Sequence, residues 1–250
     1  MKKFLILLLV LLLPVSALAD PLQLLDEDLT GIISESNYVY SYRYPQANPS
    51  DPNAAHINTF FSELVRDAVD MQVPSAAQDY ANSGNSLSVV ITYEVTLSND
   101  EFFSVRIRSS CSYEDADGEI INYETWKGYT FSLFEGMTGQ TSTLSHILGI
   151  LNSEETDEWL EERQESKVYD AVLSLVWKRI QENTEENEYY SGLTIEDLDF
   201  FNPDTDFWLD ETGNPVFYIE FYIQNENDEE RWEKVLLTFP ITLEEIDDEI

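Results

Sequence analysis

The stretch LSVVITYEVTLSNDEFFSVRIRSSCSY, residues 87–113, decides the fold. Leu87, Val89, Ile91, Tyr93, Val95 and Leu97 hold every odd position, with mostly polar residues between them. Ser98-Asn99-Asp100 is turn-forming, and Phe103, Val105, Ile107, Cys111 and Tyr113 then take odd positions again. Successive side chains of a strand point to opposite faces, so this spacing predicts an antiparallel hairpin with one apolar and one wet face. On the wet face Glu94 falls opposite or diagonal to Arg106, an exposed pair worth at most about 1 kcal/mol.

Upstream, Tyr38, Tyr40, Tyr42 and Tyr44 alternate with Val39, Ser41 and Arg43, a second strand pattern that Pro45 ends. Pro49 to Asn53 is a loop carrying helix-start residues. Ile57, Phe60, Phe61, Leu64, Val65 and Ala68 then recur at helical spacing, and Pro74 is expected to close that helix. Downstream, an acidic turn at Asp115 to Gly118 leads into a strand-like run from Ile120 to Phe134, and Gly136 to Gly139 turns the chain. Leu144 to Leu148 suggests a short helix, and Asn152 with Glu155 a helix cap. Val168, Ala171, Val172, Leu175 and Val176 make a second helical face. Strands at Val216–Ile223 and Val235–Ile241 flank an acidic loop at Asn225–Glu230, and Thr242 with Glu245 predicts a capping box on a last helix. The expected class is α+β, with an antiparallel sheet packed on one face by two main helices.

The chain has 250 residues, 49 of them acidic and 13 basic, for a formal charge of −36. Hydrophobic residues make up 43% and aromatic ones 13%, enough to build a core and to exclude a disordered acidic tail. A field of this sign repels nucleic-acid phosphate and anionic lipid, and attracts cations and basic proteins. Lys2-Lys3, the apolar run Phe4 to Leu13 and the small-x-small motif Ala17-Leu18-Ala19 read as a cleavable export signal over 1–19, with cleavage before Asp20. The apolar run is too short to span a bilayer. Loss of Lys2 and Lys3 leaves 11 basic residues against 49 acids, a mature charge of −38. Residues 20–36 read as a leader of mixed composition, and 37–250 as one α+β module. An alternative division places sub-domains at 37–97 and 98–250, sharing a sheet.

Candidate chemistry is sparse, and neither a catalytic constellation nor a cofactor is expected. Carboxylates are so numerous that finding neighbours carries little information about a glycosidase-type pair. Asp115, Asp117 and Glu119, and likewise Asn202, Asp204 and Asp206, alternate like calcium ligands, yet neither segment has the Gly and Glu that an EF-hand loop needs. Weak calcium binding at Asp115/Asp117 or Asp204/Asp206 stays open. Two histidines, His56 and His146, and one cysteine do not assemble a usual zinc site. Cys111 shares the apolar parity of Val105 and Ile107, which points to a buried, inert thiol. Nothing beside Ser145-His146 marks an activated nucleophile. The tyrosine stripe reads either as a strand packing into the core or, if exposed, as a platform for sugar rings.

Several segments together resemble a known bacterial family. Tyr44-Pro45-Gln46 with Ile57-Asn58, the hairpin 87–113, Phe131 to Gly139 with Leu144 to Leu148, Phe207 to Gly213 with Val216 to Ile219, and Phe239-Pro240-Ile241 are similar to the extracytoplasmic domain of RsiV-type anti-sigma factors. The same domain stands beside the catalytic domain of PdaC-type peptidoglycan deacetylases. This chain departs from the pattern at Tyr113 to Gly118 and at Tyr222 to Glu226. The resemblance implies an α+β module outside the cytoplasm, at or near the cell wall. In the anti-sigma members the module senses lysozyme, a basic protein. The deacetylase activity belongs to a separate metal-binding domain, so the expectation is an exported, non-enzymatic binding module of the cell envelope, periplasmic or extracellular. Its acidic surface would engage a basic protein or a cell-wall component. The alternative is a wall-glycan or peptide hydrolase using surface carboxylates.

Overall fold

A computed structural model describes residues 21–35, 37–83, 85–114, 118–134, 141–149, 158–183, 190, 193–225 and 228–250. The expected cleavage residues Ala17, Ala19 and Asp20, the Asn152/Glu155 cap, the turn at 136–139 and Asp115/Asp117 lie outside them. The chain is α+β.

The first sheet holds β1 (Leu29–Glu35), β2 (Tyr38–Tyr44), β3 (Leu87–Ser98), β4 (Phe102–Glu114) and β5 (Ile120–Ser132), in that spatial order. It is mixed rather than purely antiparallel, because β2 runs parallel to β3. Parallel neighbours need a long crossover. Here α1 (Ala54–Asp67) and α2 (Val73–Ser83) supply it. Ile57 and Phe61 of α1 and Val73 and Ala77 of α2 join Tyr38, Tyr40, Tyr44, Val89, Ile91, Val105 and Ile107 in one core. The tyrosine stripe is therefore a core face, with Tyr44 stacked on Phe61 at 5.6 Å between ring centroids. That overturns its reading as an exposed sugar platform.

Pro74 does not end the helix. Residues 68–72 form one wide π turn, in which the Val73 N–H reaches the Ala68 carbonyl, and Pro74 sits in the first turn of α2. Proline lacks an N–H and crowds the carbonyl four residues back. The wider turn carries the chain past that conflict without a break. Leu29–Glu35, read from sequence as leader, is an edge strand antiparallel to β2.

The second sheet is antiparallel and contains β6 (Phe207–Leu209), β7 (Pro215–Asn225) and β8 (Asp228–Pro240). The expected acidic loop at 225–230 is mostly strand, since β8 already begins at Asp228. Phe217, Ile219, Phe221, Leu237 and Phe239 pack against Val168, Val172, Val176 and Ile180 of α4 (Glu158–Glu182) in a second core. Ile246 of α5 (Leu243–Glu249) closes it. Between the sheets and these helices, α3 (Leu144–Ile147) adds Leu144 to the same core. The two amphipathic helices predicted from periodicity thus each cover a sheet of their own.

The hairpin carries the connection between the two halves. Glu94 stands directly opposite Arg106, and Val95 opposite Val105, as the alternation requires. The register then slips by one residue, so that Leu97 pairs with Ser104. A bulge of this kind flips every later side chain to the other face. Leu97 accordingly packs in the second core rather than beside Val89 and Ile91. The far side of this end of the hairpin is not wet, as the alternation implied: Ser104 is 0% exposed and Thr130 2%. The second sheet lies over it.

Candidate functional site

The junction of the two sheets brings together tryptophan, tyrosine, arginine and carboxylate side chains. It starts from an edge. β5 is the last strand of the first sheet, and an uncovered edge presents unpaired N–H groups. Two side chains of β7 satisfy them. The Trp126 N–H donates to Glu220 Oε1 at 3.2 Å, and the Gly128 N–H donates to Tyr218 Oη at 3.2 Å. One strand further on, the Leu209 N–H of β6 donates to Ser104 Oγ at 3.0 Å, which also bonds Thr130 Oγ1.

Gly128 makes the close approach possible, because a Cβ there would lie 1.8 Å from the Phe207 carbonyl oxygen. Beside it the Arg106 guanidinium sits 3.9 Å from the Trp126 ring centroid and 5.1 Å from that of Trp208, while pairing with Glu94. Trp208 in turn stacks on Tyr218 at 5.5 Å. The buried Trp126 Nε1 has no acceptor among the described residues.

A cleft of ≈310 Å³ opens next to this joint, lined by Trp126, Lys127, Tyr218 and Glu220 from the sheets and by Asp197, Phe200, Phe201 and Asp206 from the loop before β6. A 3₁₀ turn at Ile195–Leu198 shapes that loop. Its capping box has Asp197 Oδ2 accepting the Thr194 N–H at 2.7 Å and the Thr194 hydroxyl at 2.9 Å. Leu198 and Phe201 anchor the loop in the second core. Phe200, between them, is 96% exposed. Asp206 Oδ2 accepts the Asn202 N–H at 2.8 Å, and Oδ1 accepts the Thr205 hydroxyl at 3.3 Å. Burial raises the Asp206 carboxyl above its ordinary pKa, with the Glu220 charge adding to the rise and Lys127 and the two hydrogen bonds opposing it. Glu220 is held by Lys234 at 2.5 Å. Burial likewise pushes the Tyr218 phenol up.

Aromatic walls and carboxylates converge in the cleft: each oxygen of Asp206 accepts one bond from its own loop, and Glu220 is spanned by Lys234 and the Trp126 N–H.

The residues singled out from sequence are dispersed. Cys111 is buried, at 9% exposure, in the first core. Ser145 donates its hydroxyl to Asp204 Oδ1 at 3.0 Å, whereas His146 Nδ1 bonds Thr143 Oγ1 at 2.7 Å in a cap. Serine and histidine are adjacent in sequence but serve separate partners. Asp204 faces Ser145 and Asp206 faces the Asn202 amide, so their carboxylates do not converge. Among the described residues no group of three or more His, Cys, Asp or Glu side chains is placed to hold a metal ion. Also among these residues, no helix is long and apolar enough to cross a membrane. Sequence reasoning passed over Trp126, Phe200 and Tyr218. A tryptophan at an even, nominally wet position of β5 was the available signal, since an indole left on a solvent face wastes much of its apolar area.

Charge is also organised. Each arginine whose side chain is described has a carboxylate partner: Arg43 with Asp28, Arg66 with Glu63, Arg106 with Glu94, Arg108 with Glu124, and Arg179 with Glu245. Among the described side chains every guanidinium is thus engaged by a carboxylate.

No protein-family model matches the chain, and no curated protein matches it. Two solved structures resemble it over most of its length. One is a member of the DUF3298 family from Bacteroides fragilis, 14% identical, with a TM-score of 0.48, covering 91% of this chain and 94% of that one. The other is a DUF3298 family protein from Pseudomonas aeruginosa, 10% identical, with a TM-score of 0.40, covering 92% and 94% respectively. Both of these structures are of bacterial proteins from a domain family of unknown function.

Proposed function

We infer that this chain is an exported, non-enzymatic binding module of the bacterial cell envelope, whose acidic surface engages a basic partner. The observation that carries the reading is the imbalance of 49 acidic to 13 basic residues, together with the pairing of every described arginine to a carboxylate. Complementary charge raises encounter rates and suppresses wrong partners, and salt screens it over about 10 Å at 0.1 M. Export rests on the signal pattern of residues 1–19, and N-terminal sequencing of the secreted protein is expected to begin at Asp20.

The experiment is a titration of the mature protein with hen lysozyme, and with an unrelated protein of matched basic charge, over a range of salt. Selective binding that weakens but persists as salt rises supports a binding module. Equal binding to both, abolished together by salt, refutes it and leaves only a solubilising charge. The hydrolase alternative has its best residue in Asp206, a carboxyl of raised pKa in a cleft. Its test is turnover of peptidoglycan fragments, which must fall in Asp206→Asn.

A further inference from the structure

The cleft at the junction differs from the rest of the acidic surface. Phe200 is held at its mouth, 96% exposed, by a turn whose neighbours Leu198 and Phe201 are buried. A ring fixed in water beside a cavity gains free energy when something covers it. Asp197, Asp206 and Glu220 bring three negative charges to the cleft, and Lys127 with the Glu220-bound Lys234 brings two positive ones. One net negative charge is left for a ligand to neutralise. Acceptor capacity is left as well. Asp197 Oδ1 has no partner among the described residues, and Asp206 Oδ1 has only the Thr205 hydroxyl at 3.3 Å. A carboxylate offers about four acceptor sites over its two oxygens.

The volume of ≈310 Å³ lies near the low end of small-molecule pockets, which start at about 300 Å³. That suits one long side chain better than a run of sugar rings. The Trp126 indole that lines the cleft already stacks a guanidinium from within, that of Arg106 at 3.9 Å. Planar, weakly hydrated guanidinium groups combine aromatic stacking with N–H donation to carboxylates, which a strongly hydrated ammonium does less well.

The geometry points to a receptor site for a single arginine side chain of the basic partner, with Phe200 covering the guanidinium and Asp197 and Asp206 accepting its N–H groups. This inference rests on the acidic binding-module reading and locates its selectivity at one place on the surface. The raised carboxyl of Asp206 agrees with it, since an incoming cation offsets the burial that causes the rise.

The test is isothermal titration of the mature protein with tetra-arginine amide, tetra-lysine amide and chitotetraose at low salt. Phe200→Ala and Asp206→Asn are compared with Asp247→Asn, an exposed acid on α5 away from the cleft. Circular dichroism checks that each variant is folded, which the exposure of Phe200 favours. Tetra-arginine is expected to bind several-fold more tightly than tetra-lysine. Phe200→Ala and Asp206→Asn should each weaken tetra-arginine binding about tenfold or more, and Asp247→Asn less than twofold. Equal weakening by Asp206→Asn and Asp247→Asn overturns the site while leaving the acidic-module reading intact, because only the overall field then matters. Chitotetraose binding that depends on Phe200, without arginine binding, overturns it in favour of a glycan site. Failure of both peptides and of basic proteins to bind overturns the module reading itself.

Discussion

Replacing Gly128 by alanine tests whether the two sheets are locked at the point described. An added Cβ would stand 1.8 Å from the Phe207 carbonyl oxygen, 2.5 Å from its carbon and 3.0 Å from the Trp208 nitrogen. All three are backbone atoms of β6, so no side chain can rotate away; the strand or the sheet must shift. Moving it strains the Gly128 N–H bond to Tyr218 Oη and the Leu209 N–H bond to Ser104 Oγ. Overpacking in a core costs about 1–3 kcal/mol, and lost buried hydrogen bonds about 1–3 kcal/mol more. We expect a loss of about 3 kcal/mol or greater. At about 2–4 °C per kcal/mol for a domain of this size, the Tm falls by about 6–12 °C. Thermal unfolding followed by far-UV circular dichroism measures the shift, and tryptophan fluorescence reports on Trp126 and Trp208 at the joint. Gly213→Ala is the control. Its φ of +84° strains any L-residue, but no heavy atom lies within 4 Å of the new Cβ, so about 1–2 kcal/mol is expected. A Gly128→Ala protein that unfolds within about 2 °C of the parent would show that the sheets are not in contact there.

Four further outcomes follow from the same structure. Ser104→Ala leaves the buried Leu209 N–H without its acceptor and should cost about 1–3 kcal/mol in urea unfolding; a change below the error of the midpoint would refute the contact. Trp126→Phe removes a buried indole N–H that makes no hydrogen bond of normal geometry among the described residues, so stability should stay within about 1 kcal/mol of the parent despite the smaller ring; a loss above about 2 kcal/mol would refute this. Burial, the largest cause in each case, pushes the phenols of Tyr38, Tyr93 and Tyr129 up to about 12 from the ordinary 10.0. The fold favours their neutral forms, so this contribution is whole below about pH 10 and is lost as pH rises towards about 12; tyrosinate absorbance that completes by about pH 11 with the fold intact would contradict it. Cys111 should resist a thiol reagent in the native protein and react at once in denaturant, whereas rapid native reaction would place it at the surface.

Much of the fold was legible from spacing alone. The odd positions of β3 and β4 do face one core through Val95 and Val105, and Thr242 and Glu245 do form a capping box. Periodicity reports which side of an element is apolar, so it also found α1 and α4. It does not report which surface an apolar side meets. Pro74 was misread because a π turn upstream absorbed its missing donor. Leu97 was misread because a one-residue slip carries no signal in the alternation itself. The strongly apolar residues of Leu29–Glu35 are Leu29, Ile32 and Ile33, which do not alternate, and edge strands need little pattern to pair. The cleft was the least legible. Trp126 is far in sequence from Phe200, Asp206 and Glu220, and they meet only where β7 covers the open edge of β5.

The sequence by itself determined the α+β class, the apolar sides of most of the central hairpin and of α1 and α4, and the large negative charge, since each follows from local spacing or from counting residues. Only the tertiary structure decided that there are two cores, that Ser104 and Gly128 lie between two sheets, and that a cleft opens beside them. The physical reason is that burial of a polar strand face depends on a partner more than a hundred residues away, whose hydrogen-bonding groups no local pattern specifies.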